Sequence, residues 1–225
     1  MSGDDGGTGP RSGAERGPAN RDGRPGVAVW FDLDGTLLRL DRPYEDVLRE
    51  AFGRHLDGPA VDRAVGAYDF LDRFGAFESA PYRGAMAGVV EAVGADVDPG
   101  TLVDALRETE YGALGVPEGT REALSAVDAP LGVLTNGLPA WQRGKLAHHG
   151  LATPFGAVVA SYEAGAHKPD PAPFDLARER LAADRHVMVG DDREADVEGA
   201  RAAGFEAVHA TDGVASVRAA LRELL

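Results

Sequence analysis

Five short apolar runs punctuate the chain: Val27-Ala-Val-Trp-Phe31, Leu131-Gly-Val-Leu-Thr135, Ala157-Val-Val-Ala160, His186-Val-Met-Val-Gly190 and Glu206-Ala-Val-His209. Runs of this length without polar alternation suit strands buried on both faces. Between the later runs the spacing turns helical, as in Phe174, Ala177 and Leu181, and Pro139 and Pro171 stand where a helix begins, a position at which a missing N–H costs nothing. The pattern closes on an amphipathic stretch from Val214 to Leu225. Alternating strands and helices predict an α/β fold, a parallel sheet with helices on both faces and ligands at the carboxyl ends of its strands.

The interval between the first two runs breaks this alternation, because it is far too long for one crossover helix. It carries four helical patterns: Tyr44, Val47, Leu48, Phe52; then Val61, Val65, Tyr68, Leu71; then Tyr82, Met86, Val89, Val90, Val93; then Leu102, Val103, Leu106. These predict a helical insertion over residues 41–116 that overhangs the sheet's carboxyl edge, with the core made of 27–40 and 117–225. Residues 1–26 hold eight Gly and three Pro and show no apolar periodicity, so a disordered tail is expected there.

Composition narrows the function classes. The 225 residues include no Cys, which excludes disulfides, thiolate metal sites and a thiol nucleophile. No stretch reaches the ~20 apolar residues of a membrane span, and the opening residues lack the apolar core of a signal peptide, so a cytoplasmic protein is expected. Asp and Glu number 37 against 23 Lys and Arg, and only Lys145 and Lys168 are lysines. A net charge of −14 disfavours nucleic acid and anionic membrane as partners, since both require clustered positive charge.

The candidate chemistry collects at the ends of the apolar runs. Phe31-Asp32-Leu33-Asp34-Gly35-Thr36 places two carboxylates at the end of a buried strand, where they are costly unless paired or bound to a cation. Asp32 suits an anionic nucleophile for phosphorus, and Asp34 suits the proton donor to the leaving oxygen and the base toward water. The competing reading is a simple Asp-Gly turn. Thr135 ends the second run and Asn136 follows it, just before a helix whose N-terminus favours anions, so both are candidates for phosphate oxygens, or else for capping that helix. Lys168, in His167-Lys-Pro-Asp170, is a compact cation kept in a chain that otherwise uses Arg, and fits a phosphoryl group and the attacking carboxylate. Asp191 after the fourth run is the candidate ligand for Mg²⁺, which takes hard oxygens from separate loops. Asp192 is placed as a helix N-cap, and Asp196 as a support for the loop or the metal's waters.

Taken in order, Asp-Leu-Asp-Gly-Thr, Leu-Thr-Asn-Gly, Lys-Pro-Asp-Pro and Gly-Asp-Asp with a further Asp five residues after its first Asp resemble the four motifs of the haloacid dehalogenase superfamily. The resemblance implies a Rossmann-like core, with Asp32 as nucleophile and metal ligand, Asp34 as acid/base and donor of its backbone carbonyl to Mg²⁺, Thr135 and Lys168 on the phosphoryl group, and Asp191 completing the metal site. The insertion resembles the family's helical cap. Capped members act on small phosphorylated metabolites, because closure excludes bulk water and bulky substrates. The implied activity is an Mg²⁺-dependent phosphatase working through an aspartyl phosphate. Dehalogenases of the family lack the second aspartate of the first motif, so Asp34 argues against that chemistry. A phosphomutase, which passes the same aspartyl phosphate to a second hydroxyl, and a non-catalytic metal-bound module stay open beside it.

Arg73, Tyr82 and Arg83 in the insertion are candidates for the substrate. His148, His149 and His167 receive no role. Phosphoglycolate, sugar phosphates and nucleoside monophosphates all stay open. The acidic, lysine-poor surface also suggests adaptation to high salt, where screening shrinks to about 3 Å at 1 M and self-repulsion is suppressed. An unfolding series from dilute buffer to molar KCl checks this: stability is expected to rise with salt, and greatest stability in dilute buffer refutes it.

Overall fold

A computed structural model describes residues 26–210, so the expected tail, apart from Gly26, and the stretch from Val214 to Leu225 lie outside the described residues. The five apolar runs form one parallel sheet from strands β1 (Val27–Phe31), β4 (Leu131–Thr135), β5 (Ala157–Ala160), β6 (Arg185–Gly190) and β7 (Glu206–His209). Their spatial order is β5-β4-β1-β6-β7, with β1 central and the chain crossing from one side of it to the other. The chain leaves β1 and β6 toward opposite sides of the sheet, so a crevice opens at the carboxyl edge between these two strands.

The strands lack polar alternation because both faces are covered. Val29, Phe31, Val187 and Val189 bury into one cluster with Leu146 and Leu151, while Trp30 and Met188 bury on the opposite face with Leu134, Phe174 and Phe205. Successive side chains thus serve opposite cores. Trp30 is fully buried and its indole N–H donates to His186 Nδ1 at 3.2 Å. Burial pulls the His186 imidazole below its ordinary value, first by desolvation and then through Arg178, which keeps that nitrogen available as an acceptor.

The covering helices of the core are α6 (Thr120–Ser125), α7 (Pro139–His148), α8 (Ser161–Ala164), α9 (Pro171–Arg180) and α10 (Gly199–Ala202), the last preceded by a π-helical turn over Arg193–Glu198. Pro139 and Pro171 begin α7 and α9 as the sequence predicts.

The interval after β1 holds β2 (Arg39–Leu40), helices α1 (Tyr44–Gly53), α2 (Gly58–Ala67), α3 (Phe70–Gly75), α4 (Pro81–Val93) and α5 (Pro99–Ala113), and then β3 (Leu114–Gly115). β2 and β3 pair antiparallel, so the two stems of the insertion are tied side by side. Its interior is a separate apolar cluster, with Val47, Phe52, Met86, Val89, Leu102 and Leu106 among its buried members. The second helical pattern is corrected. It comprises two helices, because Tyr68 takes an extended conformation (φ −76°, ψ 104°) after α2, and Leu71 is 77% exposed rather than on an apolar stripe. The break lets Tyr68 and Phe70 stack with centroids 6.1 Å apart. Among the described residues no helix is long and apolar enough to cross a membrane.

Gly132 faces Trp30 across the β1/β4 pair, and a Cβ there would lie 2.4 Å from the indole ring. Gly132→Ala is expected to destabilise the fold by about 1–3 kcal/mol through overpacking, measured by denaturant unfolding.

Candidate active site

Each group singled out at a strand end arrives at the same edge of the sheet. Asp32 follows β1 and anchors its backbone N–H on Val189 O at 2.8 Å. The chain then turns tightly, with the Leu37 and Leu38 N–H groups donating to Leu33 O at 3.0 and 2.9 Å. Gly35 sits at φ 94°, and a Cβ there would fall 2.3 Å from the Asp191 carboxylate, so glycine is needed both for the turn and for the approach of that side chain. Thr36 is buried and donates its hydroxyl to Asp191 Oδ1 at 2.8 Å. The sequence pattern gave Thr36 no role.

Lys168 lies at the centre. Its ammonium donates to Asp32 Oδ1 at 2.8 Å, Asp196 Oδ1 at 2.5 Å and Leu134 O at 2.8 Å, so all three N–H bonds are used. Asp196 also accepts from Asp192 N at 3.1 Å, and it fits against Gly190, where a Cβ would lie 2.1 Å from a carboxylate oxygen. Asp192 caps the following turn, accepting from Glu194 N and Ala195 N at 2.8 and 2.9 Å, as its sequence position suggests. Burial pushes the Asp32 carboxyl up to about 7; Lys168 opposes the shift and Asp196 adds to it. Burial works against the Lys168 charge, but Asp32 and Asp196 outweigh it and hold the ammonium above its ordinary value.

Oxygen atoms of Asp32, Asp191 and Asp196 all lie within 4.8 Å of one another. Three carboxylates face one buried ammonium and leave surplus negative charge, although burial is the main cause of the rise in Asp32 and Asp196 only adds to it. A hard divalent cation fits that surplus and that donor set. Both Asp196 oxygens are taken, by Lys168 and by the Asp192 N–H, whereas Lys168 and Thr36 take only Oδ1 of Asp32 and Asp191, so each of these keeps its Oδ2 for a metal.

Asp34 is held differently. Lys145, from α7, donates to both its oxygens at 2.9 and 3.0 Å, and Gln142 Nε2 donates to Oδ2 at 2.8 Å. Lys145 also pairs with Glu110 of α5 at 2.7 Å, and Glu110 accepts from Trp141 Nε1 and Tyr44 Oη. Burial lowers the Lys145 ammonium, yet Asp34 and Glu110 overcome it and set it above its ordinary value. Neither Lys145, Gln142 nor Glu110 was singled out in the sequence. The available signal was composition, because a chain with two lysines buries both, each against two carboxylates.

The Asp34 side chain turned toward Lys145 is not one of the clustered carboxylates, so only its backbone carbonyl remains for a metal. Thr135 Oγ1 accepts from Gln142 Nε2 at 2.8 Å and keeps its own hydrogen free for a ligand oxygen. The Asn136 amide clamps the Lys168 backbone, accepting from the N–H at 2.8 Å and donating one Nδ2 hydrogen to the carbonyl at 3.1 Å, which leaves its second N–H for a ligand oxygen.

A cavity of about 1330 Å³ opens from Asp34, Gly35 and Asp191 toward the inserted helices. Tyr82 lines it, stacked 3.8 Å from Trp141 and 4.2 Å from Phe70. Arg73 and Arg83 do not line it, which corrects their expected role. Arg73 pairs with Asp69 and Glu78, and Arg83 with Asp98, so their charges are met by neighbouring carboxylates. His167 does have a contact: its Nε2 lies 3.1 Å from Phe74 O, the ring stacks 4.1 Å from Phe74, and Tyr162 Oη donates to the same carbonyl at 3.2 Å. The end of α3 is thereby docked on the loop that presents Lys168. His148 and His149 are not among the residues lining the cavity.

A family model described as a haloacid dehalogenase-like hydrolase matches residues 27–204. The chain is 33% identical to the phosphoserine phosphatase of Thermus thermophilus, with 83% of this chain and 89% of that one covered. It is 30% identical to the fructose-1-phosphate phosphatase YqaB of Escherichia coli, over 81% of this chain and 95% of that one. Among solved structures, the 2-haloacid dehalogenase of Pseudomonas syringae superposes with a TM-score of 0.63 at 28% identity, covering 82% and 86% of the two chains. With the matched span running from β1 to just beyond α10 and taking in all four motif regions, the chain belongs to the haloacid dehalogenase-like hydrolase family.

Proposed function

We propose that the protein is a divalent-metal-dependent phosphatase that hydrolyses a small phosphorylated metabolite through an aspartyl phosphate on Asp32. The observation that carries this reading is the pair of carboxylates two residues apart with separate buried lysines, Asp32 on Lys168 and Asp34 on Lys145. Two neighbouring carboxylates held apart by separate cations suit two roles, nucleophile and proton carrier. The phosphatase names of the two relatives support the same chemistry.

Asp32 and Asp191, with the backbone carbonyl of Asp34, are the groups that would hold Mg²⁺, which when bound neutralises phosphoryl oxygens and the clustered carboxylates. Lys168 holds the attacking Asp32 and sets its positive charge beside the phosphoryl group, and the free hydroxyl hydrogen of Thr135 donates to a phosphoryl oxygen. An oxygen of Asp32 attacks phosphorus while the bond to the leaving oxygen breaks and that oxygen takes a proton from Asp34. Asp34, now a carboxylate, takes a proton from water, whose oxygen attacks the same phosphorus and releases phosphate and Asp32. Lys145 and Gln142 aim the Asp34 carboxylate, and Glu110 keeps Lys145 in place. The inserted helices exclude bulk water, which strengthens each of these interactions.

The dehalogenase neighbour makes attack on carbon the second reading. That reaction has no use for a proton carrier beside the nucleophile, whereas Asp34 is fixed by three hydrogen bonds.

Phosphate release from p-nitrophenyl phosphate and small phosphomonoesters, with Mg²⁺ or with EDTA, tests the proposal. Asp32→Asn is expected to lose activity by on the order of 10³-fold or more. Halide release from a 2-haloacid without metal, and no phosphate release, overturns the proposal. Lys145→Met is expected to lower kcat by ~10–100-fold with little change in KM, because it removes aim and charge at Asp34 rather than phosphate binding.

Metal binding should also be visible in stability. The folded Asp32 value lies above its ordinary 3.8, so without metal the fold is favoured while Asp32 is protonated and loses stability as pH rises toward about 7. Added Mg²⁺ is therefore expected to raise Tm more above about pH 7 than near pH 5, and Asp32→Asn to flatten that difference, read by thermal unfolding.

A further inference from the structure

Of the two carboxylates left for a metal, Asp32 is tied to the sheet through its own N–H, which donates to Val189 O of β6 at 2.8 Å. Asp191 stands differently. It follows Gly190, the last residue of β6, whose register partner in β7 is His209. Just past that pair, the Ala210 N–H donates to Gly190 O at 2.8 Å. One residue further on a side chain takes over, because His209 Nε2 lies 2.9 Å from Asp191 O. A carbonyl oxygen only accepts, so Nε2 carries the hydrogen and donates.

Asp191 is thereby held from two directions. Thr36, in the turn after β1, donates to Oδ1, and His209, on the other side of β6, donates to the main-chain carbonyl. Neither contact uses Oδ2. Among the described residues His209 is not in the group of side chains able to share a cation, so it holds a metal-binding residue without belonging to the cluster. Asp191 and His209 both line the cavity and are half-buried. Without His209 the Asp191 carbonyl can take water as its partner, so what is lost is the fixed direction of the main chain rather than the fold. Mg²⁺ demands a near-octahedral set of oxygens, and a carboxylate on a main chain already fixed binds it with less ordering.

We infer that His209 is a positioning residue for the metal centre, whose Nε2–H fixes the Asp191 main chain so that Oδ2 is offered to Mg²⁺ without rearrangement. This rests on the metal-dependent reading of the site and adds a residue that lies outside the four motifs.

Mg²⁺ titrated by calorimetry into the full chain, without substrate, tests this in the wild type, His209→Leu and His209→Gln. Leucine fills the space with no donor, whereas glutamine carries an N–H at nearly the reach of Nε2. His209→Leu is expected to weaken Mg²⁺ binding by ~10–100-fold, and His209→Gln to recover most of the loss. The Mg²⁺ concentration that gives half-maximal hydrolysis of p-nitrophenyl phosphate is expected to rise in His209→Leu by a similar factor. Thermal unfolding in EDTA reads the fold separately. Should His209→Leu not fold, His209→Asn replaces it, since the same amide one methylene shorter falls short of the Asp191 carbonyl, and it is expected to bind Mg²⁺ more weakly than His209→Gln. Equal Mg²⁺ affinity in the wild type and the donor-free variant overturns the inference and leaves the phosphatase reading standing, as does a His209→Gln no tighter than that variant. A wild type that binds no Mg²⁺ and releases no phosphate overturns both.

Discussion

The site is organised by the burial of one ammonium group. Lys168 is almost wholly out of water, so its three N–H bonds must all be met, and Asp32, Asp196 and Leu134 O meet them from three different segments of the chain. Removing any one leaves a buried charge short of a partner, so the three segments converge on one point. The convergence overshoots in charge, because the carboxylates outnumber the cation, and Asp191 adds another within reach. Burial is the main cause of the upward displacement of Asp32, the charge surplus adds to it, and that surplus suits the cluster to a divalent cation.

A second buried ammonium repeats the device across the junction between core and insertion. Lys145 rises from α7 of the core, and its partners are Asp34 from the turn after β1 and Glu110 from α5 of the inserted helices. Glu110 is in turn held by the Trp141 indole, whose ring stacks on Tyr82 of α4. The placement of the inserted helices and the aim of the Asp34 carboxylate are therefore linked through one set of contacts. On the far side of the cavity, Phe74 O receives Tyr162 and His167, so the insertion touches the core at two places, one beside each lysine.

Much of the fold could be read from the chain alone. A strand covered on both faces needs an uninterrupted apolar run, and all five such runs became the parallel sheet, with boundaries shifting by one residue in β6. The break between α2 and α3 was less visible, since Tyr68, Phe70 and Leu71 look alike in a hydrophobic pattern, although the first two stack on each other and Leu71 stays exposed. At the site, Asp32, Asp34, Lys168, Asp191, Asp192 and Asp196 announce themselves because each stands in a short motif just after a strand or entering a helix, where topology forces it to the carboxyl edge.

Sequence by itself determined the sheet, the helical insertion after the first strand and the carboxylates and lysine at the strand ends, since these depend on local periodicity and on position next to a strand end. The tertiary structure decided which polar groups are spent on one another. Lys145 is 111 residues from Asp34 and on another element from Glu110, Asn136 clamps the Lys168 backbone, and Arg73 and Arg83 are claimed by surface carboxylates. Such pairings depend on distance in space and on the loss of water around each group, and neither is written in the spacing of residues along the chain.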